Sequence, residues 1–127
     1  MKLARREFVA AGAVALVAIK AAEGAAATVS EPYGLIGQIK AAPGQREMLI
    51  GYLRQGSGAM PGNLAYLIAR DAADPDAIWI TEVWESREAH QNSLTLPAVQ
   101  EAIRKARPIV AGFGQRIETV PVLTENR

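Results

Sequence analysis

The sequence contains no cysteine, no hydrophobic run long enough to span a bilayer and almost no net charge, and each absence excludes a class of protein. Without cysteine the chain has no disulfides, thiolate metal sites, cysteine nucleophiles or lipid-modified cysteine anchor. A formal net charge of +1 at pH 7 gives no electrostatic basis for binding nucleic acid. No GxGxxG, GxxxxGK or HExxH stretch occurs. We therefore expect no nucleotide site and no metal site.

One apolar run is present, from Phe8 to Ile19, within the first 27 residues. It is too short to cross a membrane but has the length of the apolar region of a secretory signal. The preceding stretch RREFV resembles the twin-arginine export motif, and small residues near position 27 suit signal peptidase. We predict a twin-arginine-like signal peptide at 1–27 and a periplasmic or secreted domain at 28–127 with no stable membrane anchor. The alternative is a short amphipathic or buried N-terminal helix.

The rest of the chain divides into strand-like and helix-like segments separated by Gly and Pro turns. Alternating β-branched and aromatic residues predict strands at 33–41, 64–71, 78–85 and 113–122. Apolar residues at helical spacing predict one helix after Pro43 and another that begins at Pro97, with a short helix capped by Ser86 between the third strand and Pro97. The order predicts an α+β, ferredoxin-like split βαβ fold, in which an antiparallel four-stranded sheet carries its helices on one face.

The third predicted strand bears on quaternary structure. Alternation places one set of its residues on one face (Ile78, Ile80, Glu82 and Trp84) and a second set on the other (Trp79, Thr81, Val83 and Glu85). A face exposed to solvent is not expected to hold Trp79 together with Val83. We therefore expect helices to cover the first face and a second copy of the chain to cover the other, as a homodimer.

Three stretches in this order, MPGNLAYLIARD, WITEVWESREAH and SLTLPAVQEA, with APGQREML after the first strand, are the basis of a family resemblance. They resemble the antibiotic biosynthesis monooxygenase family, and more closely its quinol monooxygenase type, over residues 33 to about 122. The resemblance implies a ferredoxin-like fold, a dimeric α+β barrel with the sheets packed face to face, and a cavity between sheet and helices. It also implies oxidation of a small aromatic substrate by dioxygen without any cofactor.

Two departures from the family argue against haem handling. Many members have a histidine in the stretch that reads NSL here, whereas His90 lies about one helical turn earlier. Haem-degrading relatives use an asparagine on the first strand, where this chain has Gly37 and Gln38. No ligand for a haem iron is therefore evident.

Glu82 is the first candidate catalytic residue. It shares a strand face with Trp84, and a carboxyl group beside an indole in apolar surroundings has a raised pKa and could accept a phenolic proton. The alternative is a structural ion pair with Arg70 or with Arg116, which strict alternation places on the face opposite Phe113.

His90 is the second candidate catalytic residue, because its intrinsic pKa suits deprotonation of a quinol; the alternative is a solvated or capping histidine. Trp84 could form an aromatic wall on which a quinol ring stacks while its hydroxyl approaches Glu82, or it is part of the core. Tyr66 could orient a substrate oxygen or bond to a backbone carbonyl. Asn63 is a further candidate for substrate binding, although its position also fits turn chemistry.

These residues suit functions of three classes. The first is a cofactor-independent monooxygenase that oxidises a quinol or related aromatic substrate with dioxygen. The second is a non-catalytic dimeric module that binds a small ligand in the same cavity, and the third is a haem-binding or haem-degrading protein. Family resemblance supplies most of the preference for the enzyme.

Overall fold

The computed structural model describes residues 31–124, so the predicted signal peptide lies outside the described residues. The strands are β1 (Tyr33–Ala41), β2 (Asn63–Arg70), β3 (Ala77–Trp84) and β4 (Val110–Thr119). The helices are α1 (Arg46–Gly56), α2 (Arg87–Ser93) and α3 (Pro97–Ala106), and a 3-10 turn (Arg107–Ile109) precedes β4. Among these residues no helix is both long and apolar enough to cross a bilayer.

The four strands form one antiparallel sheet in the order β2-β3-β1-β4. This order places β1 and β3 at the centre and makes β2 and β4 the edges of an open sheet. The predicted hairpin of the second and third strands is present as β2 and β3. The predicted ferredoxin-like α+β fold is therefore confirmed.

Local sequence signals account for the turns and helix starts. Gly62 has a φ of +83°, and the Asn63 N–H donates to the Met60 carbonyl at 3.0 Å, as the Pro-Gly order predicts for a type II turn. The Ser86 side chain accepts a hydrogen bond from the Ala89 N–H and so caps α2. The turn at Gly62 therefore precedes the start of β2, and the Ser86 cap starts α2 soon after the end of β3.

The range of β4 differs from its prediction. The strand begins at Val110, before the predicted residue 113, because it follows the 3-10 turn directly and pairs with Ala41. It ends at Thr119, before the predicted residue 122. Pro121 follows two residues later and has no N–H with which to extend a ladder.

An irregularity in β4 changes which residues share a face. Arg116 pairs with Gly37 and Phe113 with Ile39, so three steps along β4 match two steps along β1. The extra residue interrupts strict alternation, so Arg116 and Phe113 lie on the same, helix-covered side of the sheet. The expectation that Arg116 lies opposite Phe113 is therefore wrong.

The core lies between the sheet and the helices. Leu49 of α1 and Ile78 of β3 are fully buried, and Ala41, Ile80 and Val110 belong to the sheet side of the same cluster. Helix α1 packs closely on α3: a Cβ placed on Gly56 would lie 2.5 Å from the Ala102 Cβ. Glycine is therefore required where the two helices meet.

The other side of the sheet carries no helix of the described chain and is partly apolar. Leu67 of β2 and Ile117 of β4 are 60% and 46% exposed. Trp79 of the central strand β3 lies on the same side and is half-buried, and its indole N–H donates to Asp71 Oδ2 at 2.7 Å. We call this surface the open sheet face.

Candidate functional site

The site is built on the helix-covered side of the sheet, where the register places Tyr66 beside Glu82 and Tyr33 beside Trp84. Helix α2 follows β3 directly and brings His90 over these side chains, because Ser86 caps the helix at the end of the strand. Four of the five residues predicted from the sequence are therefore close to one another: Glu82, Trp84, His90 and Tyr66.

Glu82 is almost buried, with 15% of its side chain exposed. Its Oε1 accepts a hydrogen bond from the Trp84 indole N–H at 2.8 Å and lies 3.8 Å from His90 Nε2. Burial raises the pKa of Glu82, and the Trp84 bond and the charge of Arg116 oppose that rise. A carboxyl group whose pKa is raised towards neutrality is a better match for a phenolic proton than an exposed one.

His90 is buried, with 5% of the residue exposed. Its ring lies between two aromatic rings, with centroid distances of 5.3 Å to Tyr33 and 5.5 Å to Trp84. Burial, together with the charge of Arg116, lowers the pKa of His90 to about 4. His90 is therefore a neutral imidazole near pH 7, and no described residue forms a hydrogen bond with its buried Nδ1.

Tyr66 and Asn63 differ in their positions relative to Glu82 and His90. Burial, and the nearby carboxyl of Glu82, raise the pKa of Tyr66, so its hydroxyl stays protonated. No residue in the range 31–124 hydrogen-bonds to that hydroxyl, which leaves it available to a ligand. The Asn63 amide instead donates to the carbonyls of Ala65 (3.1 Å) and Val83 (3.3 Å). Asn63 thus ties the start of β2 to β3, and these contacts do not bring it to the pair.

The two arginines proposed as ion-pair partners of Glu82 bind elsewhere. Arg70 forms two hydrogen bonds of 2.8 Å with Glu47 of α1. Arg116 lies nearest to Glu118, at 3.8 Å. Within the described residues His90 is the only basic side chain within 4 Å of the Glu82 carboxyl. The acid is hydrogen-bonded to an indole and lies beside a neutral imidazole, and no arginine of the described residues forms a salt bridge with it.

Sequence reasoning missed a second group of polar residues beside His90. Glu118 Oε2 accepts hydrogen bonds from the Tyr33 hydroxyl at 2.6 Å and from Arg87 Nη1 at 3.0 Å. The Arg87 guanidinium also lies 4.6 Å from the centre of the Tyr33 ring. Burial and the Glu118 bond raise the pKa of Tyr33 to about 12. Only the pairing of β1 with both β3 and β4 brings these residues together, and no local pattern indicated that register.

The geometry of Trp84 differs from the expected substrate wall. Trp84 is 1% exposed, and its N–H is directly bonded to Glu82, so no ring fits between the two side chains. Open space lies instead over Gly37 of β1, which pairs with Ile80 and Arg116. Among the described residues a Cβ on Gly37 would meet only the Gln115 carbonyl oxygen, at 3.8 Å. The missing side chain of Gly37 thus leaves room on this face of β1, two residues along from Leu35, the partner of Glu82.

A separate surface groove of about 260 Å³ lies between the turn before β2 and the outer side of α2. It is lined by Pro61, Gly62, Glu85, Ala89, Asn92, Ser93 and Leu96. Neither Glu82 nor His90 contributes to it, so the chemistry described above lies elsewhere. In the described part of the chain no group of three or more His, Asp or Glu side chains is placed to hold a metal ion.

Comparisons with known proteins agree with this architecture. A candidate antibiotic biosynthesis monooxygenase from Chloroflexus aurantiacus is 54% identical, with a TM-score of 0.72 over 75% of this chain and 97% of that chain. Two others show the fold alone. A Pseudomonas aeruginosa protein has 24% identity and a TM-score of 0.65, covering 74% and 97%. A candidate antibiotic biosynthesis monooxygenase from Bacteroides thetaiotaomicron has 16% identity and a TM-score of 0.66, covering 76% and 95%.

No curated protein shows a significant match to the chain. Residues 32–105, which extend from the start of β1 almost to the end of α3, match the antibiotic biosynthesis monooxygenase family. With the family match and the 54% identity over nearly the whole of the Chloroflexus protein, the chain belongs to the antibiotic biosynthesis monooxygenase family.

Proposed function

We propose that this protein is a cofactor-independent monooxygenase that oxidises a quinol or a related aromatic compound with dioxygen. The observation that carries the proposal is the buried pair of Glu82 and His90, 3.8 Å apart, with open space over Gly37 beside it. Family membership supports oxygenase chemistry on a small molecule. The quinol is chosen because it is acidic and electron-rich enough to react with dioxygen once it is deprotonated.

The first step is removal of a phenolic proton. Either the Glu82 carboxylate or the neutral His90 imidazole accepts it, and the other group of the pair can hold the proton in turn. The free hydroxyl of Tyr66 lies beside Glu82 and can donate a hydrogen bond to the substrate oxygen. Burial of the pair excludes water, which strengthens each of these electrostatic interactions.

The second step is reduction of dioxygen by the substrate anion itself. One electron passes from the quinol anion to dioxygen, and the two radicals combine to form a bond between oxygen and a ring carbon. Cleavage of the O–O bond then leaves one oxygen atom on the ring as a hydroxyquinone and releases the other as water. The substrate supplies all four electrons that reduce dioxygen: two when the ring carbon is hydroxylated and two when the quinol becomes a quinone. No external reductant is therefore needed.

Oxygen consumption by the purified domain 28–127 against a panel of hydroquinones tests the proposal. We expect one dioxygen consumed for each quinol oxidised, at a rate unchanged by a metal chelator. Saturable binding without oxygen consumption would contradict it and favour a non-catalytic binding module. A tight one-to-one complex with hemin, lost in His90→Ala, would contradict it in favour of a haem protein.

We also propose that the domain works outside the cytoplasm, because the sequence of residues 1–27 has the features of a twin-arginine signal. The double variant Arg5→Lys with Arg6→Lys should then remain in the cytoplasm of the producing cell. Recovery of that variant in the periplasm at the level of the unaltered chain would disprove export by this route.

A further inference from the structure

Arg116 has hydrogen-bond donors that the described structure does not use. Its nearest carboxylate atom, Glu118 Oε2, lies 3.8 Å away, which is beyond hydrogen-bonding distance. That oxygen already accepts bonds from the Tyr33 hydroxyl at 2.6 Å and from Arg87 at 3.0 Å. No residue between positions 31 and 124 accepts a hydrogen bond from the Arg116 guanidinium. With 32% of its side chain exposed, Arg116 is accessible to a ligand.

The charges around this guanidinium do not balance. Arg87 and Arg116 contribute two positive charges, and Glu118 contributes one negative charge. His90 adds no charge near pH 7, because burial lowers its pKa to about 4. The β4 end of the site, formed by Arg87, Arg116 and Glu118, therefore carries a net positive charge.

The space over Gly37 lies between the Arg116 guanidinium and the buried pair of Glu82 and His90. Gly37 pairs with Arg116 on one side and with Ile80 on the other, and Glu82 follows Ile80 on the same face of β3. Adjacent strands are about 4.8 Å apart, so β4 and β3 are separated by roughly 10 Å across β1. A single substituted aromatic ring spans that width with one group at each end.

We propose that the substrate is an aromatic acid, whose carboxylate binds Arg116 while its ring lies over Gly37 and its phenolic hydroxyl reaches Glu82 and His90. This inference rests on the proposed function and specifies its substrate class. A neutral substrate in the same position would remove water from the guanidinium without supplying a counter-charge, which is costly. A carboxylate restores the charge balance and matches the planar fork of arginine donors.

Two probe compounds that differ in one group test this assignment: 2,5-dihydroxybenzoate and its neutral analogue 2,5-dihydroxybenzamide. Binding to the domain 28–127 is measured by calorimetry without oxygen, and oxygen uptake is measured separately. We expect the benzoate to bind about tenfold to hundredfold more tightly than the benzamide, the range for a charge-assisted pair. Arg116→Gln should abolish this preference, and Arg104→Gln, which removes an exposed arginine of α3 paired with Glu101, should leave it intact.

The outcomes separate the substrate class from the oxygenase reaction. Preferential binding of the benzoate that depends on Arg116, without oxygen uptake, would support the anion site and contradict the proposed oxygenase. Oxygen uptake with equal binding of the two compounds to the unaltered domain would overturn the anion site and leave the oxygenase standing. Because that comparison needs no variant, it decides the point even if Arg116→Gln does not fold.

Discussion

Burial has opposite effects on the two ionisable residues at the centre of the site. It raises the pKa of Glu82 and lowers that of His90 to about 4, because a group in apolar surroundings disfavours its charged form. The pKa of Glu82 therefore lies above that of His90, which reverses the order of exposed groups. Of the two residues, Glu82 holds an accepted proton more readily, which favours it as the base.

If Glu82 is the base, Glu82→Gln should lower the turnover rate by about 10²–10⁴-fold and change substrate binding little. In the unaltered domain the rate should increase as pH rises through the raised pKa of Glu82, since only the carboxylate accepts a proton. Steady-state oxygen uptake between pH 5 and 8 measures both effects, with the exposed Glu101→Gln as control. A lower melting temperature with unchanged turnover per folded molecule would make Glu82 a structural residue.

His90 should make the domain sensitive to acid. Its pKa falls from 6.5 in the unfolded chain to about 4 in the folded one, so the folded state binds this proton less tightly. The free energy of unfolding should therefore decrease as pH falls through this window, by roughly 3 kcal/mol at about 1.4 kcal/mol per pKa unit. Glu82 acts in the opposite direction, because its raised pKa favours the folded state below pH 4.5.

Urea unfolding of the unaltered domain and of His90→Gln at pH 7 and pH 4 isolates this effect, because the Glu82 contribution is present in both proteins. The variant should lose less stability between the two pH values, by about the amount attributed to the histidine. If both proteins lose the same free energy of unfolding between pH 7 and pH 4, the folded state does not disfavour protonated His90.

The residues of the site were partly predictable from sequence. Alternation along β3 predicted that Glu82 and Trp84 share a face, and the Ser86 cap predicted the helix that carries His90. Direct bonding between the indole and the carboxyl was not predictable, because it depends on side-chain conformations. Arg116 was assigned to the wrong face, since one extra residue in a strand reverses every later position. Gly114 lies within the irregularity and is the kind of strand glycine that often marks a bulge, but strict alternation ignores it.

At the level of whole elements, pattern and turn chemistry predicted the order of strands and helices, and boundaries mostly differ by one residue. The larger difference is in β4, whose start depends on the 3-10 turn after α3 and whose pairing partner is the distant β1. Local propensity decides where helices and hairpins form, whereas pairing between ends of the chain decides the limits of an edge strand.

The contact between α1 and α3 predicts opposite effects for two glycines in one helix. A Cβ on Gly56 would lie 2.5 Å from the Ala102 Cβ and 3.2 Å from the Ala98 carbonyl oxygen, whereas a Cβ on Gly51 meets no described atom within 4 Å. Gly56→Ala should destabilise the domain by about 1–3 kcal/mol through overpacking. Gly51→Ala should stabilise it by about 0.5–1 kcal/mol through helix propensity. Thermal unfolding of both variants gives the comparison, and the same sign for both would contradict this packing.

At the scale of the whole molecule, we propose that the open sheet face is the interface of a homodimer. Leu67 and Ile117, on the two edge strands, are 60% and 46% exposed, and Trp79 lies on the same face of the sheet. Exposed apolar area of this kind marks an association surface. The family resemblance, which implies face-to-face dimers, supports the same surface.

Leu67→Glu should convert the dimer to a soluble monomer, because it places a charge in a desolvated interface without disturbing the core of the protomer. Sedimentation velocity measures the mass, and Met48→Glu, which alters an exposed apolar residue of α1, should leave the dimer intact. Leu67 is preferred to Trp79 for this test because the Trp79 indole also holds the Asp71 loop. If Leu67→Glu has the same mass in solution as the unaltered dimer, this interface is contradicted.

Both tryptophans of the chain donate their indole N–H to a carboxyl group, and this gives the protein a built-in optical signal. Trp84 donates to Glu82, whose pKa burial raises. Trp79 donates to Asp71, whose pKa is lowered to about 2 by bonds from the backbone N–H groups of Asp74 and Ala73 and from Trp79 itself. A carboxylate accepts a stronger hydrogen bond than a neutral acid, so we expect the emission of an indole to change when its partner is protonated.

Above pH 4 the emission of Trp79 should therefore be constant, and that of Trp84 should change as Glu82 titrates. In Trp79→Phe the fluorescence of a single indole would report the protonation state of the candidate base directly, without substrate. Loss of the pH-dependent change in Glu82→Gln would assign the signal to that carboxyl, and persistence of the change would assign it to another group. The same emission would then follow a ligand as it enters beside Glu82, in real time and in the unlabelled protein.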